Sequence, residues 1–467
     1  LTRDRPVLLL ENSISGSLEV CPQSHKMTDA ADDVRKWDLI PKMSPFLDRH
    51  LILPLLEFLE SKNIYPEEEI KKAKIALLQP TNMVDFVSDI YSTLHPGAPM
   101  PDSVTAKRDE VMSTLASLTK EAAPLVDLAA KVDVIKSLRE TGNLNKIAYL
   151  QEHHGINDAT VKAFYSLAKV TYECGDYTNA SEYLTLFREV STDSESINSA
   201  LWGKLATNIL MEQWDVALKD VQAVKEIVEA RAFANPTTQL QQRTWLLHWS
   251  LPIFFNSPDS RMALLEFYHH EKTWQVVQTS CPHLLRYIIV ASVISKRRFP
   301  KEIVKMVDQE SYAYSDPITK FIETLYGPSD FEGAEAQLQL CSSVLLNDPY
   351  LHPVTGDFLE ASRLLIFELF CKLHSCIDTR LLASKLNMSH EDSERWIVNL
   401  IRGAKLDAKI DTQANQVVIG SQAPALYQQL IDRTRILVRP LGPTPGPKKH
   451  QAHRGEGQRE ARSSQQE

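Results

Sequence analysis

Glycine is scarce in this sequence, with 15 among 467 residues, which is less than half the usual share of ~7%. Sheet-rich folds place glycine in turns and bulges, so an all-β or Rossmann-like architecture is disfavoured. Long hydrophobic runs are also missing, because no stretch reaches the ~18 apolar residues that a membrane-spanning helix needs. The sequence therefore predicts a mainly helical protein without a membrane segment.

Motifs that mark common enzyme classes are absent too. There is no GxxxxGK[ST] or GxGxxG phosphate loop, no GxSxG and no HExxH. Cys281 and His283 are close enough to suggest a nucleophile pair, and Cys371, His374 and Cys376 are close enough to suggest zinc. Structural packing is the simpler interpretation of both groups, since the second lacks a further ligand pair. We therefore predict a protein that is not an enzyme and that holds no cofactor or metal.

Charge and cysteine content restrict the partners and the compartment. The chain has 51 Lys and Arg against 60 Asp and Glu, a formal net charge of −9. This balance argues against binding nucleic acid through bulk charge. The six cysteines form no CxxC pair and lie in apolar segments, as expected for free thiols in a reducing compartment. A cytoplasmic protein is predicted.

The two ends differ in composition from the rest. Residues 1–36 contain only one short apolar run and are predicted to be a disordered N-terminal extension. Residues 439–467 carry a charge of +3 (six Lys and Arg minus three Asp and Glu), four prolines and four glycines. Such a stretch cannot bury enough apolar surface to offset the entropy of ordering, so a disordered basic tail is predicted.

Between these ends, one helix–turn–helix pattern repeats. It occurs at 163–187, again at 200–221, and in part at 330–338. In each copy alanine follows an aromatic residue after three positions, and the first two copies are offset by 37 residues (214 − 177). The pattern resembles a tetratricopeptide repeat and predicts stacked helix pairs that present a long surface. The predicted core residues of the repeat are Gly175, Tyr177, Ala180, Trp214 and Ala217, with Phe331 and Ala334 in the third copy.

Two apolar stripes predict helices outside the repeat. In the first, Pro54 is expected to kink or divide the helix. The proline-rich stretch 93–102 is predicted to be a loop between the two. The stripes comprise Leu47, Leu51, Leu55, Phe58 and Leu59, and then Val111, Leu115 and Leu118.

Tryptophan is concentrated in the middle of the chain. A stripe of this kind is expected in the core, with a peptide-binding groove as the alternative. Arg243 lies in the same apolar stretch and should pair with a carboxylate or extend to the edge of the solenoid. The residues are Trp202, Trp214, Trp245, Trp249 and Trp274.

The pattern changes near residue 362 to that of a winged helix. Residues 362–376 and 377–386 are predicted to form two helices, and a third begins after Ser389. Strand-like alternation follows at 406–410, and a polar turn separates it from a second strand candidate at 416–419. The predicted core of this unit comprises Leu382, Leu386, Trp396, Ile397 and Leu400.

The third helix of the winged helix begins with acidic residues. DNA-reading winged helices place this end against bases and phosphates, where carboxylates would be repelled. We therefore expect the unit to bind protein rather than DNA, with a nucleic-acid-binding regulator as the alternative. The candidate protein-interaction surface comprises Glu391, Asp392 and Glu394 on this helix and Val417 and Ile419 on the wing.

Helical repeats that lead into a winged helix are the layout of the PCI family, the scaffold subunits of the proteasome lid, the COP9 signalosome and eukaryotic translation initiation factor 3. Over roughly residues 37–435 the sequence resembles the initiation factor 3 members. The stretches that carry this resemblance are LDRHLILPLLEFL at 47–59, TNMVDF at 81–86, QQRTWLLHWSL at 241–251, FFN at 254–256, CPHLLRY at 281–287 and ERWIVNLIRGAKLDAKID at 394–411.

The resemblance implies an all-α, TPR/HEAT-like helical-repeat solenoid followed by a C-terminal winged helix. The implied organisation is N-terminal helical repeats over 37–230, the helical part of a PCI domain over 231–361, its winged helix over 362–420 and a closing helix over 421–438. The family continues such a helix into a bundle of several subunits, whereas Pro440 ends any helix here.

The resemblance also implies a non-catalytic scaffold that promotes assembly of the pre-initiation complex and recruitment of mRNA. Its implied partners are the other initiation factor 3 subunits, including PCI and MPN core subunits and the d subunit, and the 40S ribosomal subunit. Whether mRNA is contacted directly stays open. A scaffold of a sister complex, the proteasome lid or the COP9 signalosome, is the alternative.

Overall fold

The structure is a computed structural model, in which the chain forms two compact units, Leu1–Phe370 and Cys371–Glu467. The residues it describes are 35–96, 99–129, 151, 156–230, 235–256, 260–268, 271–295, 301–374, 376–378, 398, 408–411, 416–419, 430 and 434.

Helices make up nearly all of the described part of the first unit. They are α1 (Ile40–Met43), α2 (Arg49–Ser61), α3 (Glu67–Leu78), α4 (Val84–Leu94), α5 (Asp102–Ala129), α6 (Asp158–Glu173), α7 (Tyr177–Val190), α8 (Ser194–Leu210), α9 (Trp214–Ala230), α10 (Pro236–Asn256), α11 (Ser260–Tyr268), α12 (Glu271–Ser280), α13 (Leu285–Ile294), α14 (Lys301–Glu310), α15 (Pro317–Tyr326), α16 (Phe331–Leu346) and α17 (Thr355–Leu373). Short 3-10 helices lie at Ser44–Phe46, Pro282–Leu284 and His352–Val354.

Consecutive helices pack against each other from α5 through α10, and again at α15 and α16. The predicted helical-repeat solenoid is confirmed by this packing of neighbours in sequence as neighbours in space. The predicted loop at 93–102 does separate α4 from α5, but it is too long at both ends, since α4 runs to Leu94 and α5 begins at Asp102. The helix α2 is continuous through Pro54, so the alternative in which this proline divides the helix is wrong. Leucines buried before and after Pro54 hold both halves of α2 against the core.

The three copies of the repeat share one backbone geometry at the turn. Gly175, Glu212 and Ser329 have positive φ angles of 93°, 57° and 56°. Each lies two residues before the aromatic residue that begins α7, α9 or α16. A left-handed residue two or three positions past a helix end lets the next N–H group return to a carbonyl of the last turn, so the chain reverses within a few residues.

Small residues let the paired helices approach each other. Ala180, Ala217 and Ala334 are all fully buried. A residue without a side chain beyond Cβ allows the close helix contact that the repeat needs.

The tryptophans lie in the core rather than in a groove. Trp202, Trp245 and Trp249 are buried, and the Trp202 ring meets the other two edge to face at centroid distances of 6.4 and 5.0 Å. Trp214 and Trp274 are partly buried against the same core. This main core runs from Leu39 to Ala361.

The second unit contains a three-stranded antiparallel sheet of β1 (Cys376–Asp378), β2 (Ala408–Asp411) and β3 (Gln416–Ile419), in the order β1-β3-β2. The predicted wing hairpin is confirmed, because β2 pairs with β3. The helix predicted over 377–386 is wrong at its start, where Ile377 pairs with Val417 in the sheet. That pairing joins residues 40 positions apart (417 − 377), so no local pattern reveals it.

Some predicted boundaries differ from those in the structure, and some predicted features lie outside the described residues. The predicted extension to residue 36 is too long, since the Arg35 Nε already donates to the Ile64 carbonyl at 3.0 Å. The helix predicted to begin at 362 begins at Thr355. Residues 1–34, 439–467 and the predicted winged-helix core of Leu382, Leu386, Trp396, Ile397 and Leu400 lie outside the described part.

Candidate interaction surfaces

A buried polar cluster is centred on Arg286, the second residue of α13. Its side chain is buried. The Arg286 Nε donates to Asp316 Oδ2 at 2.8 Å, and Nη1 donates to Asp348 Oδ2 at 3.1 Å. The third nitrogen, Nη2, donates to the Trp37 carbonyl at 2.9 Å. One guanidinium thus joins the N-terminal segment, α13, the start of α15 and the turn after α16.

The two carboxylates are themselves held by the backbone and by phenols. Asp316 caps α15, where its side chain accepts from the Thr319 N–H at 2.7 Å and a capping box closes the turn. Tyr314 donates to Asp316 at 2.8 Å, and Tyr287 donates to Asp348 at 3.0 Å. Burial raises the pKa of Asp348, although Arg286 opposes that shift. All these groups are enclosed, so the cluster stabilises packing and does not face solvent.

Two histidines form a second buried polar contact. His248 Nδ1 lies 2.7 Å from the Thr244 carbonyl, and His248 Nε2 lies 2.9 Å from His283 Nε2. A carbonyl only accepts, which assigns the proton of His248 to Nδ1 and makes His283 the donor in the pair. Burial lowers the pKa of His248 to about 4 and that of His283 to about 3. The lowered pKa values leave both imidazoles neutral at pH 7, and the Phe46 ring stacks on His248 at a centroid distance of 4.6 Å, so the pair is enclosed and structural.

The N-terminal segment is also attached to the repeats. Asp48 caps α2 and accepts a hydrogen bond from the Tyr172 hydroxyl at 2.7 Å. His50 Nδ1 lies 3.1 Å from the Tyr177 hydroxyl. Trp249 Nε1 donates to the Phe46 carbonyl at 3.1 Å. Residues 37–50 therefore connect the repeat helices with α10 and α13.

The surroundings of Cys281 do not favour a nucleophilic thiol. The Cys281 thiol is buried, and burial raises its pKa to about 12, which disfavours the nucleophilic thiolate. His283, two residues further along the chain, contacts His248 instead.

No group of three or more potential metal ligands comes together in the part of the chain that the structure describes. Among the described helices, none is by itself long and apolar enough to cross a membrane, and Lys272–Ser280 with Pro282–Ile294 would do so only as a pair bent by 116°.

The surface of the first unit has exposed apolar side chains on its helices. Met112 on α5 is 62% exposed, Leu340 on α16 is 52% exposed, and Tyr312 in the turn before α15 is 87% exposed. Exposed apolar and aromatic side chains on a helical scaffold are typical of protein contacts when they adjoin a depression.

One such depression lies beside Met112. It has a volume of about 510 Å³ and is bounded by the start of α4, the middle of α5 and the α6–α7 hairpin. We call it the α5 groove. Its apolar lining includes Met83, Phe86, Val111, Met112, Leu115 and Leu167.

The structure describes the predicted residues of the repeat but not the predicted acidic residues of the winged helix. Gly175 takes a left-handed conformation two residues after the end of α6, and Tyr177 and Trp214 begin α7 and α9. Glu391, Asp392 and Glu394 lie outside the described residues.

The two predicted wing residues lie on a strand that is paired on both sides. Val417 and Ile419 belong to β3, which is the middle strand of the described sheet. The backbone at Val417 is paired with both Ile377 and Ile410. It therefore cannot accept a further strand at that position, because the fold already uses both of its edges.

Sequence reasoning missed the Arg286 cluster, the histidine pair and the α5 groove. A partial signal existed for the first, since Asp316 followed by Pro317 is a helix N-cap followed by an N1 proline. Arg286 and Asp348 are 62 residues apart, and no spacing rule connects them. The carboxylate partner predicted for Arg243 is present, because Arg243 donates twice to Glu229, at 2.9 and 3.0 Å.

Comparison with known proteins gives consistent results. Residues 38–171 match the family model described as eIF3 subunit 6 N terminal domain, and residues 337–421 match the PCI domain. The E subunit of eukaryotic translation initiation factor 3 from Arabidopsis thaliana is 41% identical, over 86% of this chain and 94% of the relative. The proteins of the same name from Bombyx mori (41% identical, 85% and 92%) and Aspergillus clavatus (39% identical, 88% and 93%) are similarly close.

Proposed function

The chain belongs to the E-subunit family of eukaryotic translation initiation factor 3, and from that membership we propose that it is a non-enzymatic assembly subunit of this factor. In this role it binds the other subunits, including PCI and MPN core subunits and the d subunit. It also binds the 40S ribosomal subunit in the cytoplasm, and so promotes assembly of the pre-initiation complex and recruitment of mRNA.

The main support from the structure is the division between buried polar groups and exposed apolar ones. Arg286 with its two carboxylates, and His248 with His283, join separate elements inside the solenoid. Apolar side chains such as Met112 and Leu340 lie instead on outer helix faces. This distribution suits a rigid stack that offers faces to other polypeptides.

The test is purification of the full chain through an affinity tag from cytoplasmic extract at physiological salt, with nuclease treatment. Mass spectrometry should find the other initiation factor 3 subunits in near-equal amounts, and sedimentation of an untreated sample should place the chain with 40S subunits. Recovery of proteasome-lid or signalosome subunits instead, or of the chain alone, would contradict the proposal.

A further inference from the structure

The helix α5 is apolar along one side without being buried there. From Asp102 to Glu121 no residue of α5 is buried, whereas Ala122 and Leu125 are fully enclosed. Val111 and Leu115 are only half-buried, and Met112 between them is mostly exposed. A stripe at this spacing normally faces a core, so the first two-thirds of α5 has an apolar face without a full cover.

The two ends of that stretch are fixed, which keeps the space beneath it open. Lys107 Nζ donates to the carbonyls of Gln79 and Thr81 at 2.7 and 2.6 Å, and Arg108 Nε lies 3.0 Å from Asp85. The far end packs through Leu125 into the core of α6 and α7. Between these anchors α5 spans the α5 groove without closing it.

The size and lining of the groove suit apolar side chains from outside. Its volume of about 510 Å³ falls within the range of ~300–1,000 Å³ that is typical of occupied sites. Met83 and Met112 both line it, from different elements, and flexible methionines adapt to varied apolar partners.

The described lining of the groove carries two carboxylates, Asp85 and Asp176, against one base, a net charge of −1 (1 − 2). Arg108 is the only base among the described lining residues, and it already pairs with Asp85. Asp176 lies on the wall formed by the α6–α7 hairpin. At Cys174, inside the groove, burial raises the pKa of the thiol, and the carboxylates of Glu173, Asp85 and Asp176 raise it further. An apolar occupant that carries positive charge at its edges would therefore be favoured.

We propose that the α5 groove is a docking site for an amphipathic helix of another subunit, with apolar residues on one face and Lys or Arg on its flanks. A helix fits because apolar anchors at i, i+3 and i+4 can follow the stripe of Val111 and Leu115. The inference rests on the proposed assembly role, since it names the kind of partner that this part of the solenoid receives.

The first test is photo-cross-linking in the assembled factor. The full chain carries benzoylphenylalanine in place of Met112, and a second preparation carries it in place of Leu340 on α16 as the matched control. Position 112 should cross-link to a segment of another subunit with apolar residues at helical spacing and basic flanks, and position 340 should not reach that segment. No cross-link from position 112, a link only within this chain, or a link to an acidic or wholly polar segment would overturn the inference.

Subunit composition of the same preparation separates the two proposals. A complete factor without the expected cross-link removes the docking inference alone. A chain that fails to join the factor removes the assembly role as well.

The second test uses two defined peptides and the purified full chain. Both are 16-residue helical peptides with the same leucine face, one flanked by lysine and the other by glutamate. Fluorescence anisotropy should show at least tenfold tighter binding of the lysine peptide, a tenfold loss in Met112→Glu, and no change in Leu340→Glu. Equal binding of the two peptides, no binding of either, or equal effects of the two variants would overturn the proposal.

Discussion

Replacing Arg286 with methionine tests the buried cluster most directly. Methionine retains much of the apolar bulk of arginine, so little cavity forms, but it supplies no positive charge. Asp316 and Asp348 would then remain enclosed without the guanidinium that now bonds both of them. Removing one partner of a buried ion pair costs about 3–5 kcal/mol. We expect Arg286→Met to lower the free energy of unfolding by about that amount.

Arg243 provides a control with the same chemistry nearer the surface. It donates twice to Glu229, but Lys272 Nζ also lies 2.7 Å from that carboxylate. The Glu229 side chain is 32% exposed, so water and Lys272 remain after Arg243→Met. Its loss should cost under about 1 kcal/mol.

Urea unfolding of the full chain at pH 7, followed by circular dichroism, measures both variants. Adding Asp316→Asn and Asp348→Asn to Arg286→Met should recover part of the loss, because neutral amides need no counter-charge. Equal losses in Arg286→Met and Arg243→Met, or no recovery in the triple variant, would refute the account of Arg286 as the charge that compensates two buried carboxylates.

Three further predictions concern pH, the repeat turns and the repeat junction. Acidification from pH 7 to 5 should weaken the fold, because unfolded histidine protonates near its ordinary pKa of 6.5, whereas folded His248 and His283 resist protonation until about pH 4 and 3. Each histidine should lower the free energy of unfolding by about 2 kcal/mol at pH 5. Urea titrations should show that this free energy depends less steeply on pH in His283→Gln. Glu212→Gly should raise the free energy of unfolding by roughly 0.5–1 kcal/mol, since its φ of 57° strains a side chain but not glycine. Gly175→Ala should lower the free energy of unfolding by about 1–2 kcal/mol, because its φ is 93° and the new Cβ would lie 3.1 Å from the Met83 Cε. Chemical unfolding that shifts the stability of both variants in the same direction would contradict the turn geometry. Ala180→Trp should overpack the buried junction and cost about 1–3 kcal/mol, and an unchanged melting temperature would count against close contact at that position.

Local pattern is enough to predict the repeats. The aromatic residue and the alanine three positions later recur at 177 and 214, in helices α7 and α9, which contact mainly the helices before and after them in sequence. Even the hairpin of β2 and β3 is predictable, because the alternation at 406–410 and the polar turn after it are local features. The helix expected over 377–386 fails at Ile377 because its strand partner, Val417, is distant in sequence.

The rest depends on distant residues or on space that is not filled. Arg286 meets Asp316 and Asp348 only after several helices have packed. The stripe of Val111 and Leu115 is helical as predicted, but its period cannot reveal that the facing surface is a groove. Glu212 adopts the left-handed conformation that Gly175 adopts in the first repeat, but no glycine in the sequence marks that position.

The attachment of the N-terminal segment has a consequence for synthesis. The Trp37 carbonyl accepts a hydrogen bond from Arg286, which is synthesised 249 residues later. At the translation rate of ~5–20 residues per second, this delay amounts to roughly 12–50 seconds. During that interval Trp37 and Met43 have emerged from the ribosome before Arg286 and Tyr287 of α13 exist to contact them. Nascent chains of this protein should therefore engage chaperones early and release them only after the codons for α13 and α15 have been read.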